Sequence, residues 1–138
     1  MSVSDELAAI EAVVNEIEKD IEDGTISVEA ILRQIRSVAG TAGQMAKCQE
    51  LAGRLMDKSK RIDIKRLKEL KQHHPDDSTI GKLANRAANC YLTLFKTGLS
   101  TSEALVTPDV RSKMQSDNQN MMNMIKSQVA DLISSEEG

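Results

Sequence analysis

Four residues in one short stretch have the side-chain chemistry of metal ligands: His73, His74, Asp76 and Asp77. Adjacent histidines do not converge easily on one ion, and the spacing matches no familiar zinc pattern. The stretch therefore reads as a solvated polar turn, and no metal is expected. These are the chain's only two histidines, so a serine–histidine or cysteine–histidine centre would have to be built at this same place. No nucleophile stands at a recognisable distance from them.

Two glycine-containing stretches invite comparison with phosphate-binding loops. Gly40-Thr41-Ala42-Gly43 has no lysine to reach a phosphate and falls within an apolar stripe. Gly81-Lys82 is followed by Leu83 rather than by the Ser or Thr that would hold magnesium. Both are read as helix-packing glycines. Paired carboxylates for acid–base work are not indicated, because the acids near the N-terminus fall on the solvent side of an apolar seam. The expectation is a protein that is not an enzyme, with no cofactor and no small-molecule substrate.

The strongest chemical signal is charge segregation. Residues 1–24 carry eight acids against the single base Lys19, whereas residues 54–71 carry eight bases against Asp57, Asp63 and Glu69. On a continuous helix, Arg54, Lys58, Arg61, Lys65 and Lys68 fall at spacings of four and three and form one ridge, flanked by Lys71. Such a ridge suits a polyanion backbone or an acidic protein partner. The competing reading is a solvated face, or one paired with the acids of the N-terminal helix in the same bundle or in a second copy. The ridge contains no aromatic residue on which a base could stack, so any nucleic-acid contact would go to the phosphate backbone. It also lacks the Trp or Phe that would insert at a membrane surface.

The elements that position these residues are helices. The chain is 40% hydrophobic and 28% charged, a folded rather than disordered composition, yet Tyr91 and Phe95 are its only Phe, Tyr or Trp residues. A core without rings must be filled by aliphatic residues and seven methionines, which suits closely packed helices. Two prolines and seven glycines leave few turn signals, so elements should be few and long. Cys48 and Cys90 stand far apart in helical patterns and read as buried, reduced thiols of a cytoplasmic protein. No apolar run reaches the roughly 18 residues of a membrane span, and the acidic N-terminus is not a signal peptide.

In the first helix, capped by Ser2 or Ser4, Leu7, Ile10, Val14, Ile17 and Ile21 make a short heptad seam thickened by Val13. Leu7, Ile10, Val14 and Ile17 are the candidate self-association seam; packing on the chain's own bundle is the alternative. Gly24 ends this helix and Ser27 caps the next. Val28, Ile31, Ile35, Val38, Ala42, Met45, Ala52 and Met56 then form one stripe, and a helix continuous through Gly40 is expected, the alternative being a break near Gly40 with Thr41 as a new cap. The small residues Ala39, Gly40, Ala42, Gly43 and Ala46 would admit a second helix closely. A further helix, capped by Ser59 or Asp63, turns Ile64, Leu67 and Leu70 inward.

Asp77 or Ser78 caps a helix that Gly98 stops, and Ser100-Thr101-Ser102-Glu103 reads as a capping box for a short turn. Thr107-Pro108 starts the last helix, with Val110, Met114, Met121, Ile125, Val129 and Leu132 inward. Met121, Met122 and Met124 cover more than one of its faces, so some are exposed for contact with partner helices.

The expected fold is all-α, a compact bundle of four to five helices with mostly antiparallel neighbours. It forms a single domain over residues 1–138, frayed at about 1–3 and 134–138. The expected function is a non-enzymatic helical protein–protein interaction module, as adaptor, chaperone-like factor or assembly subunit, with self-association as one form of that contact. The alternative is a nucleic-acid-binding protein that contacts the phosphate backbone through the Arg54–Lys71 segment.

Overall fold

The computed structural model describes residues 2–133; Met1 and residues 134–138, where the sequence predicts a frayed end, lie outside the described part. The fold is all-α, with helices packed compactly and no strand among the described residues. The chain forms α1 (Val3–Glu22), α2 (Val28–Arg36), α3 (Thr41–Lys60), α4 (Ile64–His73), α5 (Ser78–Glu103) and α6 (Pro108–Val129). A single 3-10 turn, Ala130–Leu132, follows α6.

Local chemistry accounts for most boundaries. The Ser2 hydroxyl accepts the Asp5 N–H at 3.1 Å to start α1, and Ser27 does the same for Ala30 at the head of α2. Gly24, at φ +80°, makes the left-handed turn between them, a conformation that a side chain would strain. Asp63 caps α4 by accepting the Arg66 N–H, and Asp77 caps α5 through Thr79 and Ile80. Pro108 opens α6 at its first turn, where its missing N–H costs nothing.

The expected continuous helix from Val28 to Met56 does not form. α2 stops at Arg36, and Gly40, at φ +84°, turns the chain before α3 begins. The Gln44 side-chain amide donates to the Val38 carbonyl at 3.1 Å and closes the corner. A Cβ on Gly43 would stand 2.7 Å from Val38 Cγ1, so this glycine serves the corner rather than a passing helix. The break rotates α3, which buries Cys48, Leu51, Leu55 and Ser59. Met45 is left 55% exposed, Ala42 and Ala46 face solvent, and nothing approaches Gly53. Among the described residues, no helix thus packs on the small-residue stripe.

Gly98 does not stop α5 either. It is buried with Leu55 Cδ1 3.7 Å from the place of its Cβ, and the helix continues to Glu103. The four residues read as a capping box are therefore its last turn. Thr101, buried there, donates its hydroxyl to the Thr97 carbonyl at 2.8 Å.

α5 organises the core. Ala84, Ala87, Ala88 and Gly98 keep it slim, and it packs against every other helix and the 3-10 turn. One apolar cluster joins Val14 and Ile17 of α1, Ile31 and Ile35 of α2, Leu51 and Leu55 of α3, Leu67 of α4, and Val129 and Leu132 at the chain's far end.

Candidate interaction surfaces

The acidic and basic segments meet. α1 runs antiparallel to α5, with the Val14 carbonyl near Cys90 Sγ and Glu18 on Arg86. Its acids reach cations on three helices or their ends. Glu6 receives Arg66, Glu16 receives Arg61 at 3.0 Å, and Asp20 receives Lys58 at 2.9 Å. Arg86 spreads over Glu11, Glu18 and the Asn15 side-chain oxygen. Hydrogen bonding to the guanidinium holds Glu6 and Glu16 below the ordinary carboxylate value. The same contacts push Arg61, Arg66 and Arg86 above theirs.

The expected ridge is consequently divided. α3 ends at Lys60 and Arg61 is its cap, so Arg54, Lys58, Arg61, Lys65 and Lys68 do not share one continuous helix. Arg54 is spent on Glu50 of its own helix, and Lys71 Nζ donates to the Asp131 carbonyl at 2.8 Å. Lys60, Lys65 and Lys68 make no ion pair among the described residues. Sequence spacing locates the cations but cannot show the break between α3 and α4 that interrupts the ridge.

The seam of α1 faces its own bundle. Val14 and Ile17 are fully buried, while Leu7 and Ile10 are half-buried against the same core. The chain itself covers the inner side of that seam.

The exposed apolar residues lie elsewhere. On α6, Val110 is 51%, Met121 45% and Met124 64% exposed. With Met114, Asp117 and Gln128 they repeat at spacings of four and three and form one stripe. Val110 and Met121, expected inward, therefore face out, while Ile125 and Val129 are buried as expected. From Met114 to Ile125 the only charged residue is Asp117; the rest are Met, Asn, Gln, Ser and Ile. Depletion of charge and enrichment in Met are the compositional marks of interface centres.

α6 returns antiparallel along α5. Met114 Sδ lies 3.9 Å from Ser102 Oγ, and Asn118 donates to the Leu99 carbonyl and to Glu103. That register sets Met121 level with Phe95, whose ring stacks at a tilt on Tyr91 with centroids 4.9 Å apart. Beside this contact the two helices leave a groove of about 790 Å³. Leu92, Leu99 and Met122 line it, and Lys96 and Lys126 stand at its rim.

The remaining candidates sit apart from these surfaces. His73 and His74 are exposed, and no cluster of metal-ligating side chains forms among the described residues. Cys48 and Cys90 are buried free thiols; burial raises both, Cys90 to about 11, so neither is a ready thiolate. No helix among the described residues is long and apolar enough to cross a membrane. Comparison with family models, with curated proteins and with solved structures returns no match.

Proposed function

We propose that this protein is a non-enzymatic helical interaction module of the cytoplasm, an adaptor or assembly subunit, which meets its protein partner along the outer side of α6. The observation that carries the reading is the charge-poor stripe of Val110, Met121 and Met124 in a chain where 28% of residues are charged. A water-facing helix gains nothing from three half-exposed apolar side chains in register, whereas a partner helix or a second copy would bury them. Methionine suits such a contact because its unbranched side chain adapts to the opposing surface. Self-association, in this reading, uses α6 and not the α1 seam.

The test places a photo-crosslinking residue at Met124 or, as a control, at exposed Lys19 in the cell of origin. Specific adducts from position 124 that disappear in a Met121→Glu variant support the reading. Equal adduct patterns from both positions would sink it.

A second reading, contact with a phosphate backbone, draws on Lys60, Lys65 and Lys68, which hold no carboxylate among the described residues. It is the weaker one, because Lys58, Arg61 and Arg66 already hold carboxylates of α1.

A further inference from the structure

α5 is surrounded on every side except one. Ala84, Ala87, Cys90, Leu94 and Thr101 are buried under neighbouring helices, while Asn89, Leu92, Lys96, Leu99 and Glu103, spaced three and four apart, face the groove beside α6. From Asn89 to Glu103 the groove runs about 21 Å at 1.5 Å per residue, the length of a four-turn helix. Half-buried Leu92, Leu99 and Met122 supply apolar contact. The polar groups beside them are mostly uncharged.

Charge at the rim is one-sided. Lys96 and Lys126 come from opposite walls, and neither makes an ion pair among the described residues. This contrasts with α1, where five acids are matched to cations of other helices. The groove's acid, Glu103, accepts a hydrogen bond of 2.9 Å from the Asn118 side chain.

We infer that the α5–α6 groove, a surface separate from the outer stripe of α6, is a docking site for an acidic amphipathic helix of a partner protein. The incoming helix sets its apolar stripe on Leu92, Leu99 and Met122 and directs carboxylates to Lys96 and Lys126. It fills the remaining open side of α5 as a further helix of the bundle.

The experiment uses the full chain, isotope-labelled for amide NMR, and two synthetic 16-residue peptides with one leucine stripe. One peptide carries glutamates beside the stripe and the other lysines. The acidic peptide should shift the amides of Thr93, Lys96, Gln119 and Lys126, and the basic one should not. Lys96→Glu combined with Lys126→Glu should reverse that preference by at least about tenfold in each direction, with helicity unchanged. Equal binding of both peptides, or no shift in the groove, overturns the proposal. Shifts confined to Met121 and Met124 also overturn it, yet leave the α6 interaction reading standing. Hexanoate is added as a separate probe; a groove that responds to it and to neither peptide is a small-anion pocket, which also overturns the proposal.

Discussion

Arg66 grips Glu6 through two hydrogen bonds of 2.7 Å, from Nε and Nη2 to the two carboxylate oxygens, across sixty residues of chain. It pins the first turn of α1 to α4, while the buried Val14 and Ile17 anchor the same helix further along. Both ends of the contact are partly solvated, so the apolar anchors hold the helix and the ion pairs fix its orientation.

The first prediction concerns acid. The folded-state values of Glu6 and Glu16 lie below the ordinary 4.5, so their stabilisation is complete above that value and is lost as pH falls through the folded ones. Urea midpoints measured from pH 7 downward should drop below about pH 4.5. Glu6→Gln with Glu16→Gln should flatten that drop by lowering the midpoint at pH 7 toward the acid value, and should leave the midpoint in acid little changed. An acid limb of undiminished steepness in the double variant would assign it to other carboxylates.

The second concerns the α1 seam. Ile17→Ala should cost about 2–5 kcal/mol in urea unfolding, the usual penalty for emptying a filled core site. Ile10→Glu with Ile17→Glu should abolish cooperative unfolding rather than yield a folded monomer. Light scattering and circular dichroism together decide it: intact helicity at half the starting mass would return the seam to an intermolecular role.

A pair of glycines supplies the third. Gly53 lies mid-helix with open space about it, so Gly53→Ala should stabilise by roughly 0.5–1 kcal/mol. Gly43→Ala meets Val38 and should destabilise by about 1–3 kcal/mol. Chemical denaturation reads both, and the two signs must differ.

The fourth addresses polyanions. Fluorescence anisotropy with mixed-sequence RNA and DNA duplexes should show binding only at low salt, lost by physiological salt. Lys65→Glu with Lys68→Glu should remove what remains, with helicity intact. Tight binding at physiological salt that survives this variant would contradict the division of the basic segment into paired and solvated cations.

Helix starts are legible in the sequence because their causes are local: Ser27 and Asp77 accept N–H groups two or three residues on, and Pro108 has no N–H to leave unpaired. Two glycines are not. Spacing predicts that Gly40 is traversed and that Gly98 terminates, and the reverse occurs. Gly98 is settled by Leu55, forty-three residues away, and Gly40 by the corner that Gln44 and Val38 close. Periodicity correctly marks Ile125 and Val129 as inward. It cannot separate them from Val110 and Met121, because a helix with three kinds of surface carries more apolar positions than its buried side needs.

The position of α5 has a consequence for synthesis. It starts at Ser78, and each earlier helix rests on it. When the ribosome has delivered α1 to α4, the chain holds amphipathic helices whose apolar sides have no common partner. Native docking of that first half must wait until the central helix emerges, so the nascent chain depends throughout on keeping those sides apart.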